Sequence, residues 1–106
     1  MKLGIVISTN DTEAVWNAFR LANFSKKEGN EVKVFLVGKA VEYEKNADGK
    51  FDCVGEAKRF VEAGGQVLAC GTCIKARNQE STNLCPISSL KDLHEIIKES
   101  DRVVSF

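Results

Sequence analysis

The chain has 106 residues, with 15 basic and 15 acidic side chains and a formal net charge of zero. A length of this order makes one domain, able to bury a single core without disulfide or metal staples. The charge balance provides no electrostatic footprint for direct nucleic-acid binding or for an anionic membrane. No apolar run approaches the ~20 residues needed to span a bilayer. The opening "KLGIVIS" has no small-residue cleavage site, so a cytoplasmic protein without a signal peptide is expected.

Residues 3–8, "LGIVIS", form a short apolar run of the kind that makes a strand buried on both faces. The period then changes. Asn10 and Glu13 suggest a capping pair, Val15, Ala18, Phe19 and Ala22 make a helical stripe, and Gly29 marks the stop. Residues 31–38, "EVKVFLVG", form a second strand. "KAVEYEKNADGKF" is polar, with a turn signal at Asp48-Gly49, and reads as a loop with at most one helical turn. Asp52 caps a helix over 53–63 with Ala57, Phe60 and Val61 inward, and Gly64-Gly65 ends it. A third strand covers 66–70, a short helix 72–78, and "QESTNLCPIS" is loop. Ser88 or Ser89 starts a helix to about Glu99 with Leu90, Leu93, Ile96 and Ile97 inward; 102–106 is a closing strand.

This alternation predicts a single-domain α/β fold with a mostly parallel sheet and helices on both faces. Ligands of such sheets gather beyond the carboxyl ends of the strands. Those ends are Ser8–Asn10, Gly38–Lys39 and Cys70–Cys73, so the "CGTC" pair falls where chemistry is expected. "VGKA" lacks the spacing of a phosphate loop.

Four readings of Cys70 and Cys73 stand side by side. They could be small apolar residues packing a turn. A tetrahedral metal site needs four ligands; Cys53 and Cys85 are single and spaced unlike a zinc finger, and Cys53 is expected at the amino end of the third strand, so no metal and no cofactor are expected. A thioredoxin-type couple needs a cis-proline against the pair, and the only proline is Pro86. A sulfur-carrying thiol needs free amides and positive charge to favour thiolate, which the turn after Cys70, Lys75 and Arg77 provide. Ser8 and Asn10, on the rim, are candidates for anion or persulfide contact as well as for capping. Cys53, Cys85, His94, Trp16 and Tyr43 read as packing or surface residues.

"LACGTCIKAR", the preceding "FVEAGGQV", "NAFRLA", "KVFLVGKAV" and the ending "DRVVSF" resemble the DsrE-like family of sulfur-relay proteins, nearest to its homomeric YchN-like branch. The resemblance implies a three-layer α/β/α sandwich with about five strands, the fifth being short or near 84–87. It implies assembly into dimers, trimers or hexamers, with sulfur-donor and sulfur-acceptor proteins as partners. It also implies a persulfide on the cysteine matching Cys70, with Arg77 as the basic residue that follows, in sulfur metabolism or tRNA thiolation. Cys73 is an added thiol, able to resolve a persulfide into a disulfide and sulfide. A non-catalytic homo-oligomeric binding module and a CxxC dithiol–disulfide oxidoreductase are the alternatives.

Overall fold

The computed structural model describes residues 1–46 and 49–106. Five parallel strands make one sheet: β1 (Lys2–Ile7), β2 (Glu31–Leu36), β3 (Gln66–Cys70), β4 (Ile87–Ser88) and β5 (Arg102–Ser105), in the order β4-β3-β2-β1-β5. Ile5 lies beside Val34, and Val34 beside Val67. These three side chains point to the same face because strand side chains alternate. The fifth strand expected near 84–87 is the two-residue β4, which begins only at Ile87. Leu84 and Cys85 precede it in a buried turn closed by bonds between Thr82 and Cys85.

Helices α1 (Thr12–Lys27) and α2 (Cys53–Glu62) cover one face. Connections β1→β2→β3 all step the same way across the sheet, and right-handed crossovers put their helices together. Leu3, Ile5 and Ile7 of β1, Val32, Val34 and Leu36 of β2, and Val67 and Ala69 of β3 meet Val15, Phe19, Ala57 and Phe60 there in the main core. Asp11, not Asn10, caps α1, its side chain accepting the Ala14 N–H at 3.0 Å. The carboxylate one residue later is an equally good N-cap acceptor, and Asn10 turns elsewhere.

The segment expected as loop is a 3-10 helix over Gly38–Asn46, with Ala40, Val41 and Tyr43 fully buried. Ala40 and Tyr43 are three apart, the spacing that stacks side chains in a 3-10 turn. Of the turn expected at Asp48-Gly49, Asp48 lies outside the described residues.

The chain returns from β4 to β5 across the whole sheet, so α4 (Leu90–Glu99) packs on the opposite face. Its N-cap is Ser89, whose N–H is bonded by Asp92. α4 crosses β1 at Gly4, where an added Cβ would lie 2.7 Å from Ile96 Cγ2 and 2.9 Å from Ser100 Oγ. Leu93 joins Ile96 in packing against the sheet, but the outer part of the helix's apolar surface stays uncovered. Ile96 is 2% exposed, but Leu90 and Ile97, expected inward, are 68% and 53% exposed. A helix seated through one residue row on a glycine presents its neighbouring row outward. Leu90 and Ile97 line one surface patch of α4 with Leu93, and Ile87 of β4 is also exposed.

Gly4→Ala places a methyl inside the α4 contact and should lower unfolding stability by about 1–3 kcal/mol, as overpacking of a tight core does. Urea unfolding measures this, and an unchanged midpoint would contradict the close approach.

Candidate thiol site

β3 ends at Cys70, and α3 (Gly71–Ala76) begins at the next residue. Cys70 is thus both the last strand residue and the helix N-cap, with φ −65° and ψ 112°. Its Sγ takes the place of the usual capping oxygen, accepting the Cys73 N–H at 3.4 Å. Strand alternation sends Cys70 to the α4 face, among Phe35, Leu68, Leu93 and Ile96. It is 8% exposed: sheltered, but not sealed.

Cys73, half-buried, reaches back over the turn. Gly38 points its N–H at Cys73 Sγ, 3.2 Å away, and does so from φ +60°, a left-handed conformation that favours glycine. The two thiols also hydrogen-bond to each other. Burial alone would raise the Cys70 pKa. Hydrogen bonds from the Cys73 thiol and from the Cys73 and Thr72 N–H groups, with the charge of Arg77, outweigh it and hold Cys70 below the ordinary thiol range. Cys73 moves the other way: burial and the bond to Cys70 raise it, against the Gly38 N–H and Arg77. The pair is thus polarised, the Cys70 thiol held down and the Cys73 thiol held up.

Arg77 is the cation that acts on both thiols. Its NH1 group donates to the Cys73 carbonyl at 3.1 Å, and its Nε lies 3.6 Å from Glu42 Oε2. Asn10 Nδ2 donates to the same oxygen at 3.4 Å. Asn10 and Arg77, both picked from sequence, therefore meet through Glu42, which sequence reasoning missed. Its signal was weak: one acid among several in a segment read as loop. Lys75 is exposed on α3. Ser8 is engaged at the β1 exit, its Oγ donating to the Phe106 carbonyl at 3.1 Å.

Cys53 and Cys85 lie apart from this pair, both fully buried. Cys53 Sγ is 3.9 Å from the Tyr43 carbonyl and Cys85 Sγ 3.6 Å from that of Val41. The start of α2 lies at the carboxyl side of the sheet, Phe51 packing on Trp16 in the first turns of α1, and not at the amino end as expected. Helices of a parallel sheet run against the strands, so they begin where strands finish. Burial, then Glu44, pushes the Cys85 thiol up to about 12. Among the described residues no group of three His, Cys, Asp or Glu side chains is placed to hold a metal ion. His94 is exposed on α4.

The DsrE/DsrF-like family profile matches residues 1–106. The chain belongs to that family. It is 32% identical, over the full length of both chains, to the uncharacterized protein MJ0989 of Methanocaldococcus jannaschii. It is 33% identical to the uncharacterized protein MK0008 of Methanopyrus kandleri, over 89% of this chain and 83% of that protein. In three dimensions it matches YchN of E. coli with a TM-score of 0.80 at 19% identity, over the whole of both chains. It also matches BT1422, a conserved protein of unknown function from Bacteroides thetaiotaomicron, with a TM-score of 0.81 at 25% identity over 99% of this chain and 94% of that one. The DsrE-like fold expected from the sequence, with its five-stranded parallel sheet, is the fold observed.

At neutral pH, iodoacetamide should modify Cys70 first, with Cys53 and Cys85 labelled only on unfolding; peptide mass spectrometry reads the order. Gly38→Ala forces the left-handed turn to open, at a cost of about 1 kcal/mol. It should slow Cys70 labelling as Cys73 loses its N–H donor and shifts. Equal labelling of all four cysteines, or no change in the Gly38 variant, would contradict this geometry.

Proposed function

We propose that this protein carries sulfur as a persulfide on Cys70, within a cytoplasmic sulfur relay serving intracellular sulfur metabolism or tRNA thiolation. The observation that carries the reading is the capping thiol itself. Its sulfur takes an N–H bond from Cys73 at the end of β3, beside Arg77, and its pKa is held low. Membership of the DsrE/DsrF-like family supports the same chemistry.

The step is thiol–disulfide exchange. The Cys70 thiolate attacks the outer sulfur of a donor persulfide, R–S–SH. A new S–S bond forms on Cys70, the donor's S–S bond breaks, and R–S⁻ leaves. The product, Cys70–S–SH, loses its proton to become an anion. Arg77 provides positive potential for that anion, Lys75 adds to it from the exposed side of α3, and Ser8 and Asn10 shape the rim. An acceptor thiolate then attacks the outer sulfur: a new S–S bond forms on the acceptor, the bond to Cys70 breaks, and the Cys70 thiolate leaves.

Cys73 decides whether the cargo is kept. As a thiolate it would attack the inner sulfur, forming a Cys70–Cys73 disulfide and expelling HS⁻. As a thiol it is a poor nucleophile. Its raised pKa keeps it protonated at neutral pH, which favours carriage over release. Homo-oligomeric assembly and protein donors and acceptors belong to the same proposal. The exposed apolar patch of Leu90 and Ile97 on α4 supports a covered face in the assembled state.

Incubation with a persulfide donor should add one sulfur, about 32 Da, to the intact protein, and none to Cys70→Ala; an unchanged adduct in that variant would remove Cys70 from the role. Sulfide release from the loaded protein should be slow at pH 7 and rise as pH climbs through the elevated Cys73 pKa. Cys73→Ser should abolish that rise. Slow, unselective alkylation of Cys70 with no sulfur loading would instead favour a non-catalytic binding module. The adjacency of the two thiols gives the dithiol oxidoreductase its support. Reversible Cys70–Cys73 disulfide formation, with reduction of protein disulfides and no sulfur adduct, would establish it.

A further inference from the structure

We propose that Glu42 is a positioning residue for the thiol site, dividing the Arg77 guanidinium between itself and the sulfur of Cys70. The proposal deepens the reading of Cys70 as a sulfur acceptor and rests on it for its purpose, though its test does not.

The geometry is a chain of contacts across three strand exits. Asn10, after β1, donates to Glu42 Oε2 at 3.4 Å; Glu42, in the helix after β2, lies 3.6 Å from Arg77 Nε; and Arg77, after β3, donates to the Cys73 carbonyl at 3.1 Å. The carboxylate and guanidinium are each only about 30% exposed, at 29% and 27%, so solvent screens their pairing incompletely. Asn10 orients the carboxylate without changing its charge. The NH1 hydrogen bond fixes one branch of the guanidinium to the α3 backbone, leaving the field of the rest to act on the sulfurs.

Apolar groups around Cys70 come from β2 and its exit (Phe35, Val37), β3 (Leu68) and α4 (Leu93, Ile96), and Ser88 of β4 lies beside it in the sheet. The titratable and charged side chains that shift Cys70 are Cys73 and Arg77, with Glu42 behind Arg77. In the unloaded protein Glu42 draws off part of the guanidinium's field, and Cys70 is less ionised than Arg77 alone would make it. When the outer sulfur carries negative charge, the same guanidinium has two anions to serve, and its share to sulfur grows. Glu42 thus tempers the idle thiol without preventing stabilisation of the loaded one.

The test is the pH profile of Cys70 alkylation, followed by peptide mass spectrometry, in wild type, Glu42→Gln, Arg77→Met and the double variant. Gln keeps an oxygen toward Arg77 and Asn10 but removes the charge. Glu42→Gln should speed Cys70 alkylation at pH 6 about threefold and move its profile to lower pH, the direction that removal of a neighbouring negative charge dictates. In the Arg77→Met background the same substitution should change the rate less than about 1.5-fold. Matching thermal midpoints for wild type and Glu42→Gln show that the fold is intact. An unchanged profile in Glu42→Gln, or an equal effect with and without Arg77, overturns the proposal. Sulfur loading is measured separately: a shifted alkylation profile with no sulfur adduct in any variant retains the Glu42 role and defeats the persulfide reading.

Discussion

The thiol site depends on one hydrogen bond, from the Cys73 N–H to the sulfur of Cys70. It closes the first turn of α3 on the final residue of β3, so the same residue ends a strand and caps a helix, and in the proposed carrier its sulfur would hold the cargo. An oxygen cap would serve the fold as well or better. The choice of sulfur puts a thiol where a backbone amide already points. Because the strand is fixed on both sides, by β2 and by β4, the sulfur's position is fixed by the sheet.

The rest of the site follows from the sheet's parallel order. β1, β2 and β3 finish at one edge, bringing Asn10, Gly38 and Cys70 to the same rim although each is some thirty residues from the next in sequence. Gly38 extends an N–H across that edge to Cys73. The 3-10 helix after it carries Glu42 to Arg77. A neutral chain concentrates its polar chemistry in a few paired groups rather than in a broad field. Each thiol is therefore tuned by its immediate neighbours: Cys70 downward, Cys73 upward.

Strand runs and long helices were legible because their periods, two and 3.6, are written in apolar spacing. The meeting of Cys70, Cys73 and Arg77 was legible because all three lie at one strand exit. Three features were not. Asn10 and Asp11 are adjacent and both fit an N-cap, and only coordinates separate them. The 3-10 helix holds Ala40, Val41 and Tyr43 among charged residues, so its composition reads as loop while its three-residue spacing serves the core. In α4 the apolar stripe locates a face but not what covers it: Ile96 meets Gly4, while Leu90 and Ile97 stay more than half exposed. Glu42 was invisible for a related reason, since its partner lies 35 residues away and only the sheet joins them.

The shallow burial of Cys70 also sets a length scale. A second sulfur stands one S–S bond, about 2 Å, farther from the backbone than the first. In the proposed carrier, the atom that anchors the cargo keeps its amide donors beneath the surface, and the atom to be delivered emerges past it. Handover would then need an approach to the rim and no opening of the core.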